Sequence, residues 1–308
     1  MANRFKQAIK HLKIKPGMSV DLLLKEMEGC AFGAYRLSKA VNIYEEMLSD
    51  KKVKKFFGLA GALVPAGMKQ VIVDLIQLGY IDVLVTTGAN LVHDLVEAYG
   101  GGHYKGSSSA DDRVLYEEGI SRIYDVYSPV EDFELLEKKL GEILVELEKQ
   151  ELSTRELLYE IGLRVKAKSA ILSAAAESKI PIFCPGLADS MIGLHASLRS
   201  QITLNTLKDI KEMAEICFIS RKNGALFVGG GLPKNFILQS MLMSPNYFNY
   251  AIQITMDRPE HGGLSGATLE EAISWGKIAS DAKLVTVYCD ATIALPLIVA
   301  AVRSRMER

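Results

Sequence analysis

The sequence has few cysteines, no long apolar segment and almost no net charge. No apolar run reaches the length of a transmembrane helix, and the first residues, MANRFKQAIKHLKIK, lack the apolar core of a signal peptide. We therefore expect a cytoplasmic protein. The four cysteines form no CxxC pair and no metal-ligand spacing with a histidine, which favours reduced, buried thiols and no metal site: Cys30, Cys184, Cys217 and Cys289.

The lack of excess positive charge argues against nucleic acid or an acidic membrane as a partner. The chain has 36 basic and 37 acidic residues, whereas binding to nucleic acid or to an acidic membrane needs excess basic charge. The basic runs at residues 6–15 and 51–55 are therefore interpreted as solvated helix faces. The 308 residues, 49% of them hydrophobic, are enough for one α/β domain over residues 1–308.

Short apolar runs rich in β-branched residues alternate with helical patterns along the chain. This alternation is typical of a mostly parallel sheet covered by helices on both faces, and we predict a Rossmann-like α/β fold with residues 1–50 forming helices outside the sheet. The glycine-rich segment 100–112 is expected to be a mobile loop. The predicted strands are residues 56–61, 83–87, 122–126, 181–185, 225–228, 250–255 and 284–289, and the predicted helices are residues 67–78, 91–99, 133–150, 157–178, 207–219, 235–242 and 292–303.

Small or polar residues follow nearly every predicted strand. In an open parallel sheet, ligands bind beyond the carboxyl ends of the strands. Turns favour such residues in any case, but together they predict a polar ligand-binding edge. The residues are Thr87, Gly88, Ala89, Asn90, Asp189, Gly229, Gly230, Gly231, Asp257, Asp290, Ala291 and Thr292.

The segment FVGGGLPKN is the clearest candidate for phosphate contact. Three glycines allow a backbone to approach a pyrophosphate, and the following helix offers amide donors to an anion. The segment does not match GxGxxG, so a plain tight turn remains the alternative. Asp290 could accept hydrogen bonds from a ribose or could simply cap a helix.

Residues 262–277, GGLSGATLEEAISWGK, predict a glycine-rich loop followed by a short helix. Thr268 and Glu271 have the spacing of a capping box, and Glu271 and Trp275 share one helix face. Gly276 would end the helix, so that Lys277 lies just beyond it.

Lys277 could be an ordinary surface lysine or a nucleophile. A nucleophilic lysine must lose its proton, and burial can lower its pKa by up to ~3–5 units. The preceding helix C-terminus opposes this by only about 0.3–1 kcal/mol. We therefore expect a nucleophile if the indole of Trp275 excludes water.

Six blocks of the sequence resemble deoxyhypusine synthase. They are DVLVTTGANLVHDL, EEGISRIYDV, IPIFCPGLADS, FVGGGLPKN, GGLSGATLEEAISWGK and VYCDATIALPL, and the likeness extends over residues 18–302. The resemblance implies an NAD-dependent aminobutyl transfer: spermidine is oxidised by NAD, its butylamine unit moves to an active-site lysine, and NADH then reduces the product formed on an acceptor amine. It also implies a homotetramer with sites at a dimer interface.

The resemblance further assigns roles to residues. Lys277 becomes the catalytic nucleophile, with Glu271 and Trp275 as substrate contacts, and further substrate contacts are expected at His93, Asn235, Gly262 and Gly263. Cofactor contacts are implied at Gly61, Ala62, Leu63, Val64, Pro65, Thr87, Gly88, Ala89, Asp189, Gly230, Met256, Asp257, Asp290 and Ala291.

The chain departs from the family pattern where polyamine ammonium groups would be held. Val92 and His93 replace an acidic pair, Leu194 and Leu264 replace single acidic residues, and Asn235 replaces a histidine. These changes favour a small-amine acceptor, as in homospermidine synthesis. Modification of a lysine on the hypusine-containing translation factor is the close alternative, and a non-catalytic NAD-binding paralogue and a plain dehydrogenase are weaker ones.

Overall fold

The computed structural model describes residues 8–147 and 150–307. Helices and strands alternate along most of the chain, as predicted. The helices are α1 (Val20–Glu26), α2 (Phe32–Ser49), α3 (Lys69–Gln77), α4 (Gly88–Ala98), α5 (Asp112–Glu117), α6 (Val130–Glu146), α7 (Thr154–Arg164), α8 (Ile171–Glu177), α9 (Met191–Arg199), α10 (Thr206–Ile219), α11 (Gly231–Ser240), α12 (Glu271–Ser274) and α13 (Ala291–Met306). The strands are β1 (Val53–Leu59), β2 (Val83–Thr86), β3 (Tyr104–Lys105), β4 (Ile120–Ile123), β5 (Val126–Pro129), β6 (Glu151–Leu152), β7 (Ile182–Phe183), β8 (Thr203–Leu204), β9 (Lys222–Val228), β10 (Phe248–Thr255) and β11 (Ile278–Tyr288).

Six strands form a central sheet in the order β11-β10-β9-β1-β2-β7, and all of its paired strands are parallel. The order reverses between β1 and β9, which is the Rossmann arrangement, and ligands bind at such a reversal. Leu59 lies opposite both Thr86 and Val228, so β1, β2 and β9 end at the same level. The predicted parallel α/β fold is confirmed.

Side chains along each strand alternate between two hydrophobic cores. Phe57 and Leu226 pack on one face with α2, α3, α4, α8 and α13, whereas Phe56 and Phe227 pack on the other with α10, α11 and α12. Each of these four side chains is at most 1% exposed, and burial stabilises a side chain of this kind by about 1.5–3 kcal/mol. Helices therefore cover both faces, as predicted.

The helices at the two ends of the chain pack together outside the sheet. The guanidinium of Arg305 in α13 donates to Asp21 of α1 at 2.6 Å and to Glu45 of α2 at 2.7 Å. The Arg305 side chain is only 5% exposed, so these two ion pairs are largely shielded from water and join α13 to α1 and α2. Helices α1 and α2 thus occupy residues 20–26 and 32–49 of the predicted N-terminal helical region, whereas residues 8–19 form no helix. Residues 1–7 lie outside the described residues.

Three local predictions were wrong. Residues 122–126 do not form a strand of the central sheet, because they turn between β4 and β5 of a separate antiparallel sheet with β3. Residues 157–178 form two helices, α7 and α8, because the backbone leaves the helix at Val165. The segment 100–112 is not all loop, since it contains β3.

The four thiols are free, and they divide into two pairs. Cys184 and Cys217 are buried, and burial raises the pKa of each thiol to about 12, so both stay protonated at neutral pH. Cys30 and Cys289 are only half-buried, so the expectation of buried thiols holds for two of the four. None of the helices that the structure describes is long and apolar enough to span a membrane.

Candidate active site

A buried asparagine joins the turn after β1 to the helix after β2. The side chain of Asn90, 1% exposed, accepts the backbone N–H of Leu63 at 2.8 Å and donates to the carbonyl of Gly61 at 3.1 Å. The hydroxyl of Thr87 donates to the same Gly61 carbonyl at 2.6 Å. The predicted cofactor positions at 61–65 and 87–89 therefore form one unit at the carboxyl edge. Sequence reasoning placed Asn90 on the polar edge but gave it no role.

Two features of this edge fit a dinucleotide. Gly61 has a positive φ of 71°, and a methyl group added there would meet no atom within 4 Å, so its backbone faces open space. Oδ1 of Asp290 accepts the backbone N–H of Thr292 at 2.8 Å and caps α13. Its Oδ2 has no hydrogen-bond partner in residues 8–147 and 150–307, and it can accept from a ribose hydroxyl. Capping and cofactor contact are therefore compatible roles for Asp290.

The glycine turn after β9 has an internal reason for its composition. Gly229 and Gly231 have positive φ values of 76° and 55°, where glycine is favoured. A Cβ on Gly230 would lie 2.4 Å from the Cα of Ser265, so Gly230 lets the loop after β10 pack against the turn. Backbone conformation and packing therefore account for the three glycines without a pyrophosphate. A phosphate contact stays a prediction, and α11 presents its N-terminus at this edge.

Lys234 and Gln253 fasten that loop to the sheet. The ammonium of Lys234, 4% exposed, donates to Oε1 of Gln253 at 3.0 Å, to the carbonyl of Leu264 at 3.3 Å and to the carbonyl of Ala267. Nε2 of Gln253 donates to the carbonyls of Gly229 at 3.0 Å and of Ser265 at 2.9 Å. Two buried side chains thus satisfy carbonyls of both the glycine turn and the 264–267 loop.

A cavity of about 70 Å³ between α11 and this loop contains the predicted nucleophile. Nζ of Lys277 lies 5.4 Å from the centre of the Trp275 ring, a cation–π contact. The hydroxyl of Thr268 accepts the backbone N–H of Glu271 at 3.1 Å, and Gly276 ends the helical turn with a φ of 65°. The predicted short helix is present as α12, and Gly276 ends it as expected. Of the predicted capping box only the Thr268 half forms among the described residues, since the residue before α12 is Glu270. The lining residues are Lys234, Asn235, Leu238, Leu264, Ala267, Thr268, Glu271, Ala272, Trp275 and Lys277.

The two lysines of the cavity differ in what surrounds their nitrogens. Burial lowers the pKa of Lys234 to about 8, the Glu271 carboxylate acts in the opposite direction, and three acceptors occupy all of its N–H groups. Lys277 has no hydrogen-bond acceptor among the described residues and is half-buried. Lys234 is thus held in place while Lys277 is available to react. The sequence contained no signal for Lys234 beyond its position after the glycines.

The expected shielding of Lys277 is not provided by this chain alone. Trp275 is 62% exposed, so its indole contacts Lys277 without excluding water. Leu264, which also lines the cavity, is 48% exposed. Large apolar side chains therefore surround the cavity mouth and are uncovered.

The structure does not bring all predicted site residues together. Lys277 precedes β11 and Asp290 follows it. The two ends of β11 pair with Phe248 and Thr255 of β10, so the length of β10 between these residues measures the separation of Lys277 and Asp290. At about 3.3 Å per residue, the two ends are roughly 23 Å apart. Within one chain, Lys277 and the Asp290 end of the polar edge are therefore separate.

His93 lies outside the Lys277 cavity, in a buried cluster. Its Nδ1 is 2.8 Å from Nε2 of His103, and Nδ1 of His103 is 2.7 Å from a carboxylate oxygen of Glu97. The other Glu97 oxygen pairs with Lys69. Burial, with His103 nearby, lowers the pKa of His93 to about 4, so the imidazole is neutral at pH 7. Sequence reasoning named His93 but missed its three partners.

The other predicted positions lie in turns at or near the carboxyl edge. Asp189 is exposed after β7, and Met256 is 71% exposed after β10 beside Asp257, whose Oδ1 accepts the backbone N–H of Arg258. Gly262 and Gly263 are exposed in the loop, and Gly262 has a φ of 70°. Ala291 begins α13. These positions are open to a ligand.

Comparison with known proteins gives a consistent assignment. The family model described as deoxyhypusine synthase matches residues 22–302. "Probable deoxyhypusine synthase 1" of Methanosarcina acetivorans is 56% identical over 303 residues, covering 97% of this chain and 96% of that protein. "Probable deoxyhypusine synthase 2" of the same organism is 40% identical, covering 93% and 87%.

A solved structure supports the fold independently. The crystal structure of a "putative deoxyhypusine synthase" from Entamoeba histolytica superposes with a TM-score of 0.69 at 18% identity, covering 95% of this chain and 96% of that one. The family match extends over nearly the whole chain, and the superposition agrees with the observed fold. The chain belongs to the deoxyhypusine synthase family of NAD-dependent aminobutyl transferases.

Proposed function

We propose that this protein transfers an aminoalkyl group from one amine to another through an imine on Lys277, with NAD as the cofactor. The observation that supports this most strongly is the contrast between the two lysines of the cavity. Lys234 has its three N–H groups occupied, whereas Lys277 has no acceptor and contacts only an aromatic ring within the described residues. A nucleophilic lysine must be free to lose its proton, and this contrast supports Lys277 over Lys234 as the reacting group.

Each remaining group has a task in this reaction. The chemistry that NAD would supply when bound is reversible acceptance of a hydride from the carbon beside the donor nitrogen. The turn at 61–65, the start of α4 and Asp290 would hold NAD. Glu271 pairs with a substrate ammonium, and the Trp275 ring stabilises a cation beside Lys277. Lys234 and Gln253 keep the cavity wall in place.

The cavity favours an amine with few charges. Glu271 is the one carboxylate among its ten lining residues, and Leu264 lies where the family has an acidic residue. Binding an ammonium group in a buried site without a carboxylate partner destabilises the complex by several kcal/mol, roughly the penalty for an unpaired buried charge. We therefore propose a diamine such as putrescine or agmatine as donor or acceptor, giving a homospermidine-type product.

A protein acceptor is the second candidate. The names of the relatives favour it, since both Methanosarcina acetivorans proteins are called deoxyhypusine synthases. That organism has two such proteins, and this chain is more similar to the first. Two copies allow one to modify the translation factor while the other takes a different acceptor.

Product analysis separates these candidates. The purified protein would be incubated with NAD and spermidine, putrescine or agmatine, with and without the purified translation factor, and the products identified by mass. A small polyamine as product supports the proposal. A mass increase on the factor lysine from spermidine replaces it with the protein-directed reaction. Hydride transfer without group transfer indicates a plain dehydrogenase, and NAD binding without any reaction indicates a non-catalytic paralogue.

The leucines give a direct test of substrate choice. Leu194 and Leu264 are each about half exposed, at 50% and 48%, so an aspartate at either position remains solvated. The Leu194→Asp, Leu264→Asp double variant should raise the ratio of kcat/KM for spermidine to that for putrescine. Leu198→Asp, on the same helix α9 and 74% exposed, is the matched control and should leave the ratio unchanged. An unchanged ratio in the double variant would show that the leucines do not select the substrate.

We further propose that a second copy of the chain completes the site. Lys277 and Asp290 lie at opposite ends of β11, and Trp275 and Leu264 are uncovered beside the cavity. A partner that packs against these side chains would exclude water from Lys277. It could also bring its own cofactor edge to the cavity. The homotetramer implied by the family, with its sites at a dimer interface, would place a second chain against each cavity in this way.

A further inference from the structure

A hydrogen-bonded chain of four side chains lies outside the Lys277 cavity. It runs from Lys69 of α3 to Glu97 of α4, then to His103 in the following loop, and returns to His93 of α4. His93 is 8% exposed and the His103 side chain 5% exposed, so the chain is sealed from water along most of its length.

The carboxylate sets the direction of every hydrogen bond in the neutral chain. Glu97 can only accept, so Nδ1 of His103 carries a hydrogen and donates to it at 2.7 Å. Nε2 of the neutral His103 then has a lone pair, and it accepts from Nδ1–H of His93 at 2.8 Å. It follows that Nε2 of His93 has no hydrogen and presents a lone pair.

That lone pair is available to a ligand. Within the described residues Nε2 of His93 has no hydrogen-bond partner. The fully buried polar atoms without a partner are in other residues, so Nε2 of His93 is in contact with solvent. His93 follows Asn90 by three residues on α4, about one helical turn or 5 Å along the axis. Asn90 holds the turn at 61–65, so His93 lies about one helical turn from a residue of the proposed cofactor edge.

We propose that His93, His103 and Glu97 form a proton relay that takes a proton from an ammonium group of the amine substrate; this inference rests on the proposed function. An ammonium has no lone pair, and hydride cannot leave the carbon beside it until the nitrogen is neutral. Nε2 of His93 accepts the proton, and Nδ1–H of His93 passes to Nε2 of His103. One N–H bond of the substrate breaks, and His93 again ends neutral.

The relay places the new charge where it is best stabilised. After the transfer His103 is an imidazolium in direct contact with the Glu97 carboxylate, so the charge does not remain on the more apolar His93. Lys69 of the chain pairs with Glu97. The titratable groups beside the chain are Asp94 on α4, whose pKa burial raises to about 7, and Asp132 of α6, which accepts the backbone N–H of Gly102. Phe133 of α6 packs against the His93 ring at 5.9 Å and brings no charge.

The first test is the pH profile of the transfer reaction. In His93→Gln and His103→Gln, kcat/KM for the amine should fall at pH 7 by at least roughly tenfold, since positioned proton transfer contributes about 10²–10⁴-fold. The loss should shrink as pH approaches about 10, where amines release the proton in solution. His11→Gln, which changes an exposed histidine, is the matched control. Active variants with an unchanged pH profile would overturn the relay.

The second test needs neither turnover nor cofactor. Nitrogen NMR of ¹⁵N-histidine protein identifies which ring nitrogens carry hydrogen, and single substitutions assign the signals of the five histidines. We expect His93 and His103 both protonated on Nδ1 at neutral pH. Hydrogen on Nε2 of His93 overturns the relay whatever the activity. A wild type without any transfer activity, but with this hydrogen pattern, contradicts the proposed function and leaves the hydrogen-bond direction supported.

Discussion

Two lysines within one cavity illustrate how neighbours determine the chemistry of a residue. Lys234 donates to an amide and two carbonyls and stabilises the loop, while Lys277 contacts only the ring of Trp275 among the described residues. Residue type alone does not distinguish them. The first prediction therefore concerns the reactive one.

We expect Lys277→Ala to abolish aminoalkyl transfer while NAD binding stays nearly unchanged, since Lys277 carries the imine and is not one of the proposed cofactor contacts. Lys277→Arg should be equally inactive, because a guanidinium remains protonated. Borohydride reduction of the wild type with NAD and its amine donor should add a stable mass to the peptide containing Lys277. Lys283→Ala, which changes an exposed lysine of the strand that follows Lys277, is the control and should still be labelled. Transfer by Lys277→Ala would rule out the covalent route.

The second prediction concerns the neutral His93. Its pKa is about 4 in the folded protein and about 6.5 in the unfolded chain, so the unfolded state binds the extra proton between these values. The free energy of unfolding should therefore fall as pH falls from about 6.5 to 4, by up to about 1.4 kcal/mol per pH unit from this group. His93→Asn should weaken this pH dependence in denaturant titrations, and His11→Asn should not. Equal slopes in wild type and His93→Asn would contradict the shift.

At the scale of elements, local sequence signals predicted the helix around Glu271 well. Thr268 and Gly276 act through backbone geometry within a few residues, so their positions can be read from spacing. The error at 122–126 has the opposite cause. A short run with β-branched and aromatic residues is equally suited to a parallel strand and to a hairpin, and the antiparallel partner of β4 is decided by tertiary contacts. The His93 chain was missed for the same reason, because His103 meets His93 only through the loop after α4.

The third prediction separates two roles of Asp290 at the start of α13. Asp290→Asn keeps an oxygen for the Thr292 N–H and removes the charge, whereas Asp290→Ala removes both. Both variants should bind NAD more weakly by roughly 1.5–3 kcal/mol, the value of a hydrogen bond to a charged group. Only the alanine variant should also lose about 1 kcal/mol of stability as a lost N-cap. Calorimetric titration and thermal melting measure the two effects.

A second N-cap provides the control for this experiment. Ser153 caps α7 with a full capping box and is not one of the proposed cofactor contacts. Ser153→Ala should lower the melting temperature and leave NAD affinity unchanged. If Asp290→Asn binds NAD as the wild type does, Asp290 is only a cap and the cofactor contact has been misplaced.

At the scale of the whole molecule, the alternation of strands and helices predicted the fold class but could not give the order of the strands. The order depends on which crossovers place β1 beside β9, and this is a long-range choice. The polar edge was predictable because each turn follows its strand directly. The distance between Lys277, which precedes β11, and Asp290, which follows it, became apparent only from the register.

The fourth prediction follows from this separation. If a second copy covers the cavity mouth, Trp275 should become buried, and it is the only tryptophan in the chain. We expect the fluorescence maximum to shift to shorter wavelength with increasing protein concentration, in parallel with the mass measured by sedimentation. Leu264→Lys should weaken both changes by placing a charge at the contact. A constant spectrum across the assembly transition would place the interface elsewhere.

The contacts of Gln253 also bear on the order in which ligands bind. Its amide holds Gly229 and Ser265 together, while Lys234 holds the Leu264 carbonyl, so the glycine turn and one wall of the lysine cavity are mechanically joined. A cofactor that settles against the turn would fix that wall before the amine arrives. Kinetics with varied concentrations of both ligands should then show compulsory order, cofactor first. Gln253→Leu should make the addition random, because the amide no longer joins the turn and the wall.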